Sequence, residues 1–319
     1  MRIASAFATG LVTLALLALN PGALSAAGHF IIVQPGYPGS TAEAEQFVSD
    51  LLGAIGKGGG PGDLQGEYHN DAQEALKAIN EKHPQLGIVS LGFYLAHKDD
   101  LHLEPLLSSR PLDRFYLASK KGSAIQPKDL SGKAVAGTPF QEQEFVARIL
   151  FGPGAGGGPV AGGTSSSEEG GKEREAAKGA AGAAKGGGAD VSQWKVEATR
   201  SSTKGIRDAS RGKVAAVLLT EREKRALDSL TAGQELEVYY RTEELPTAIM
   251  VSLGKKDAPA EGAAKALAGL KDNPEGQSLL ALMGIEGFVP VGEQELAKFE
   301  ARYRADGGPN RKVEESAKK

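Results

Sequence analysis

The sequence has 319 residues, of which 37 are Lys or Arg and 40 are Asp or Glu, and its formal net charge is −3. A nucleic-acid-binding face needs clustered Lys and Arg, so this mixed charge predicts no nucleic-acid partner. The absence of cysteine excludes disulfides, thiolate metal sites and cysteine nucleophiles, and the length is sufficient for two domains of roughly 100–150 residues.

The first residues have the pattern of a secretory signal. Arg2 precedes an apolar run over 11–19, and small residues follow at 23–27. A short positive region, a short apolar core and an Ala-x-Ala-like end are typical of a cleavable signal, and the run is too short to span a bilayer comfortably. We therefore predict a signal peptide over residues 1–26 and an exported, periplasmic protein that is soluble after cleavage.

Strands and helices alternate after residue 28. A strand over 29–33 is followed by turn residues and by a helix over 41–55 with apolar residues at helical spacing. A strand over 64–69, a helix that Asp71 begins and a buried strand over 86–92 come next. This alternation predicts an α/β fold with a mainly parallel sheet.

A second unit with the same alternation begins near residue 113. Its predicted elements are strands over 114–119, 194–198, 214–219 and 236–240, a turn and strand over 129–137, and helices over 141–150 and 203–210. The segment 241–247 is expected to cross back to the first unit. The predicted organisation is a first lobe over 27–112 and 241–305, and a second lobe over 113–240, joined by two crossover segments.

The stretch 152–190 differs in composition from the rest of the chain. Gly, Ala, Ser, Lys and Glu dominate it, and Val160 is the aliphatic side chain larger than alanine. Such a segment buries too little apolar surface to offset the entropy of ordering, so we predict a disordered insertion within the second lobe. A role as a ligand-binding loop is the alternative. The tail 306–319 is also predicted to be disordered.

Four segments together resemble one family of transport proteins. They are a strand and turn over 86–94, the turn and strand 130–136, the strand 212–217 and a C-terminal block from 274 to 290. In this order, and after an export signal, they resemble the substrate-binding proteins of ABC importers for phosphate, phosphite and phosphonate. The resemblance implies a two-lobed, type 2 periplasmic-binding-protein fold and a monomer without a cofactor. It further implies capture of a small anion in the cleft between the lobes and delivery to an ABC permease in the inner membrane.

In open α/β sheets, ligands bind beyond the carboxyl ends of the strands. The predicted ligand-binding residues at these positions are Gln34, Tyr37, Ser40, Ser90, Gly92, Tyr94, Thr138, Gln141 and Thr220. Of these, Tyr37, Ser90, Thr138 and Gln141 could donate hydrogen bonds to an oxyanion, whereas Tyr94 could form an apolar wall. Hydroxyl and amide groups supply the donors that an anion needs. Glu142 and Glu144 depart from the family pattern, because carboxylates there would oppose a dianion unless they point away.

Three other functions are alternatives to anion transport. His97, Asp99, Asp100 and His102 cluster, which would suit a metal-ion-binding protein, although their spacing lacks a helical i, i+4 pair. An exported hydrolase is disfavoured, because no Gly-x-Ser-x-Gly elbow occurs and all histidines lie in the N-terminal third. A ligand-sensing partner of a membrane receptor would have the same fold as a transport protein.

Overall fold

The computed structural model describes residues 28–35, 41–160, 189–227, 229–254 and 257–305. Its strands, in chain order, are β1 His29–Val33, β2 Gln65–His69, β3 Leu86–Ser90, β4 Leu103–Arg110, β5 Phe115–Lys120, β6 Ala134–Gly137, β7 Gly157–Pro159, β8 Lys195–Ala198, β9 Ala216–Thr220, β10 Leu236–Thr242, β11 Ala248–Leu253 and β12 Gly287–Pro290.

The α-helices are also numbered in chain order. They are α1 Thr41–Lys57, α2 Ala72–Lys82, α3 Leu91–His97, α4 Gln143–Phe145, α5 Ser202–Ser210, α6 Glu221–Leu227, α7 Ala258–Ala268, α8 Pro274–Met283 and α9 Glu293–Arg304. None of the helices in the described part of the chain is long and apolar enough to cross a membrane.

The strands form two sheets with the same plan. The first has the order β12-β4-β11-β3-β1-β2 and the second β7-β10-β5-β9-β6-β8. In the first sheet β1 pairs in parallel with β2 and β3, whereas β11 is antiparallel to β3 and β4. In the second sheet β6 pairs in parallel with β8 and β9, and β5 is antiparallel to β9 and β10. We call each sheet with its helices a lobe.

The prediction of mainly parallel sheets is therefore wrong in detail, because both sheets are mixed. Strands that are linked through a helix return in the same direction and pair in parallel. Strand β11 instead enters the first sheet from the second lobe, so it runs against β3. Strand β5 enters the second sheet from the first lobe, and it likewise runs against β9.

Two crossings join the lobes, one between β4 and β5 and the other between β10 and β11. They pair with each other, since the Asp113 amide donates to the Leu245 carbonyl at 2.9 Å and the Leu245 amide donates to the Asp113 carbonyl at 3.0 Å. Strand β10 continues to Thr242, so the second crossing begins later than the predicted residue 241. The paired crossings form the junction between the two sheets.

Alternating side chains of the strands feed different cores. Phe30 and Ile32 of β1 lie in a cluster behind the first sheet, against α1 and α7. Ile31 and Val33 point to the opposite face, as the two-residue period of a strand requires. This second cluster continues into the second lobe through Phe115 and other buried residues, so the lobes share apolar packing.

Helix α9 adds a further connection between the lobes. The Tyr303 hydroxyl donates to Glu144 at 3.1 Å in the second lobe, and Arg302 donates to the Ile149 carbonyl at 3.0 Å. Toward the first lobe, Glu300 accepts from the Tyr94 hydroxyl at 2.8 Å and pairs with Lys98. One helix therefore contacts both lobes.

Two predicted segments differ from the structure. The predicted insertion 152–190 is ordered at its start, because β7 pairs with β10 through backbone hydrogen bonds that require no large side chain. The predicted helix 141–150 is a 3₁₀ turn over 139–142, then α4, then a π-turn over 146–150. The predicted signal 1–26, the tail 306–319 and residues 161–188 lie outside the described residues.

Candidate functional site

A cavity lies between the lobes, where strands from both sheets end. Its volume is about 100 Å³, and a buried water needs roughly 10–15 Å³ by the same measure, so the cavity has room for a small solute. The carboxyl ends of β1 and β3 form one wall, those of β6 and β9 the other, and both crossings close the back. Apolar side chains, including Phe115, Phe145 and Met283, cover much of the remaining surface.

The structure brings several sequence-predicted site residues to this cavity. The lining includes Gln34, Ser90, Gly92, Thr138 and Thr220. Each follows or ends a strand that the sequence pattern had identified, and the two walls come from different lobes. These residues meet because the ends of parallel strands share one edge of each sheet.

The remaining predicted residues are placed elsewhere or not described. Tyr94 is fully buried and its hydroxyl donates to Glu300, because one turn of α3 carries the side chain away from Ser90 and toward α9. Gln141 is exposed, and its amide lies 3.4 Å from the Thr199 carbonyl. Tyr37 and Ser40 lie outside the described residues.

On the first-lobe wall, Ser90 is bonded to a carboxylate from the second lobe. Its hydroxyl donates to Glu142 Oε1 at 2.7 Å and accepts from the Phe93 amide at 3.0 Å. The Phe93 amide also lies near enough to the Glu142 carboxylate to lower its pKa. Burial raises the pKa of Glu142 to about 7, and the bonds from Ser90 and Phe93 limit that rise.

The backbone of Gly92 makes room for this carboxylate. A Cβ added at Gly92 would lie 2.5 Å from Glu142 Oε1 and 2.8 Å from its Cδ. Real Cβ atoms essentially never lie so close to a nonbonded heavy atom, so a side chain at position 92 would displace the Glu142 carboxylate from its present position. The sequence residues Ser90, Gly92 and Glu142 are therefore fitted to one another.

On the second-lobe wall, another carboxylate collects the polar groups at the strand ends. Glu223 accepts from the Thr138 hydroxyl at 2.8 Å and from the Thr220 amide at 2.9 Å. The Glu223 amide in turn donates to the Thr220 hydroxyl at 3.3 Å. The hydroxyls of Thr220 and Ser202 also lower the pKa of this carboxyl. Burial raises the pKa of Glu223, and these hydrogen bonds oppose the rise.

Asp113 adds a third acidic group at the back of the cavity. Burial and the neighbouring Glu221 together raise its pKa to about 6, and Arg225 opposes the rise. Glu221 itself accepts a short hydrogen bond from the Tyr116 hydroxyl. Arg222 is the basic side chain among the described lining residues, and its Nη1 lies 3.5 Å from the Leu282 carbonyl.

Sequence reasoning missed Asp113 and Glu223 as part of this site. Asp113 lies in a crossing, where no strand end indicates a binding position. Glu223 follows Thr220 within the first turn of α6, and that position was the available signal. Its bond to Thr138 joins residues that are 85 positions apart, which no local pattern reveals.

The acidic and histidine residues at 97–102 diverge in the structure. The His97 ring packs against Phe93 with the centroids 4.6 Å apart, and Asp99 pairs with Arg304. Burial lowers the pKa of His97. Among the described residues, no group of three His, Cys, Asp or Glu side chains could hold a metal ion.

Comparisons with known proteins give matches at the level of structure. No protein-family model matches the sequence, and no curated protein matches it significantly. A binding protein component of an ABC phosphonate transporter from Pseudomonas aeruginosa is similar, with TM-score 0.57, 11% identity, and coverage of 89% of this chain and 90% of that chain. PhnD1 from Prochlorococcus marinus in complex with methylphosphonate has TM-score 0.58, 11% identity, and coverage of 88% and 98%.

A Xanthomonas citri protein bound to ATP is also similar, with TM-score 0.57, 13% identity, and coverage of 87% of this chain and 98% of that chain. The chain has the type 2 periplasmic-binding-protein fold. Two mixed sheets flanked by helices carry this fold, and the sequence-based prediction of its class is confirmed. At these identities the likeness concerns the fold alone and does not identify the ligand.

Proposed function

We propose that this chain is an exported, non-enzymatic solute-binding protein of an ABC importer. It holds a small solute in the cavity between its lobes, and closure around the solute presents a recognisable form to a membrane permease. The observation that carries the proposal is the position of the cavity, at the strand ends of two sheets joined by paired crossings. A ligand that contacts both walls stabilises the closed form by mass action.

The narrower form of the proposal concerns a phosphate- or phosphonate-like anion. Structural neighbours that bind methylphosphonate or belong to a phosphonate transporter support it, as do the hydroxyls of Ser90, Thr138 and Thr220. The carboxylates of Glu142 and Glu223 oppose it, because they already accept hydrogen bonds from these groups. The solute-binding role therefore has stronger support than the anion.

A thermal-shift screen tests the solute-binding role. Purified protein is heated with phosphate, methylphosphonate, alkylsulfonates, amino acids and small amines, and a true ligand raises the Tm by an amount that grows with its concentration relative to Kd. Thr247 lines the cavity, so Thr247→Phe should fill it and abolish the shift. Thr231→Phe, at an exposed position, is the matched control and should keep the shift. A shift that survives Thr247→Phe, or no shift with any solute, would contradict the proposal.

A further inference from the structure

On both walls of the cavity, hydrogen-bond donors at the strand ends are bonded to carboxylates, an arrangement that the fold does not dictate. On the first-lobe wall, the Ser90 hydroxyl donates to Glu142 and accepts from the Phe93 amide. On the second-lobe wall, the Thr138 hydroxyl and the Thr220 amide both donate to Glu223. Three donors at the strand ends are thus already bound to carboxylates of the chain itself.

Glu142 differs from Glu223 in where it comes from. It belongs to the second lobe but bonds to the first, and it therefore lies across the cleft where a ligand would bridge the lobes. Gly92 provides the space that the carboxylate occupies. A serine hydroxyl that donates its one hydrogen keeps only lone pairs for other partners, so the Ser90 side chain can offer a solute no further donor.

We propose that Glu142 determines the ligand class of this cavity, because its carboxylate occupies the hydrogen of the Ser90 hydroxyl. The cleft then favours a solute with N–H or O–H donors or positive charge over phosphate-type anions. This inference rests on the proposed solute-binding function and narrows it. The Asp113 carboxylate, which also lines the cavity, adds an acceptor of the same kind. Arg222 lines the cavity too, and its side chain is exposed.

Two small probes of opposite charge that share a methyl group test the inference, namely methylammonium and methylphosphonate. Each is titrated by calorimetry at pH 7.5 into the wild type and into Glu142→Ser, which removes the carboxylate and frees the Ser90 hydroxyl to donate. We expect the wild type to bind methylammonium at least about tenfold more tightly than methylphosphonate. We expect Glu142→Ser to gain at least about tenfold in affinity for methylphosphonate.

Two further variants distinguish the effect of an acceptor bonded to the Ser90 hydroxyl from the effect of negative charge near it. Glu142→Gln keeps an acceptor oxygen on Ser90 and should bind methylphosphonate no better than the wild type. Glu144→Ser removes a negative charge two residues away, from a side chain with 54% exposure, and should also behave like the wild type. Circular dichroism and the Tm of each variant report whether it is folded.

The inference is overturned if the wild type prefers methylphosphonate or shows no preference, or if Glu142→Ser gains no affinity for it. An equal gain in Glu142→Gln or Glu144→Ser would also overturn it, since occupancy would then not be the cause. A wild type that prefers methylphosphonate, with binding lost in Thr247→Phe, would leave the solute-binding function intact. Loss of the function itself would appear instead as the absence of any cavity-dependent Tm shift in the screen.

Discussion

The hydrogen-bond donors at the strand ends have different acceptors on the two walls of the cavity. On the second-lobe wall, Glu223 serves Thr138 and Thr220 from within the same lobe. On the first-lobe wall, Ser90 depends on Glu142 from the opposite lobe. The difference implies that Glu223 stabilises one lobe, whereas Glu142 couples the two and is the group that a ligand must meet.

Removing Glu223 should produce the largest loss of stability. Glu223→Ala leaves the Thr138 hydroxyl and the Thr220 amide without their acceptor, and unsatisfied buried donors cost about 1–3 kcal/mol. We expect the free energy of unfolding to fall by about 2–3 kcal/mol, and by less in Glu223→Gln, which keeps an acceptor oxygen. Urea denaturation measures both values. A loss below about 0.5 kcal/mol in Glu223→Ala would remove the distinction between the walls.

The next largest effect should be a loss of stability with rising pH that is caused by Glu142. Its pKa is raised from the ordinary value of 4.5 to about 7 in the folded protein, so folding is not penalised below pH 4.5. As the pH rises toward 7 the unfolded chain ionises first, and stability is lost by up to about 1–3 kcal/mol. Glu142→Gln cannot ionise and should lose less over this range.

Urea unfolding of both proteins at pH 4.5 and 7.5 gives the comparison. Asp113, with a pKa raised to about 6, contributes a loss of the same sign in both proteins and therefore cancels in the difference. Identical pH profiles for the wild type and Glu142→Gln would show that Glu142 is not held in this environment.

A smaller effect is expected at Gly92. Alanine is the better residue in a helix by roughly 0.5–1 kcal/mol, but its Cβ would meet the Glu142 carboxylate. Gly92→Ala should therefore fail to stabilise the wild type and should stabilise Glu142→Ser. The coupling in this double-mutant cycle, of about 1 kcal/mol, measures the contact between the lobes. Additive effects would indicate that the two residues do not touch.

The sequence predicted the elements better than their pairing. Asp71 caps α2 as expected, with its side chain accepting from the Gln73 and Glu74 amides, because capping depends only on neighbouring residues. The direction of β11 depends on the path of the chain between lobes, and no local periodicity records it. Ser90 and Thr138, which were predicted from the strand ends, line the cavity, whereas the bond from Thr138 to Glu223 depends on the assembled sheet.

The distance between the lobes, with and without solute, tests the central claim most directly. The chain has no cysteine, so spin labels can be attached specifically at Glu104→Cys in β4 and at Lys128→Cys in the second lobe, both exposed positions. With a solute identified by the screen, we predict a narrower distribution of shorter distances, and no such change in the Thr247→Phe background. The same distribution with and without saturating solute would contradict binding between the lobes.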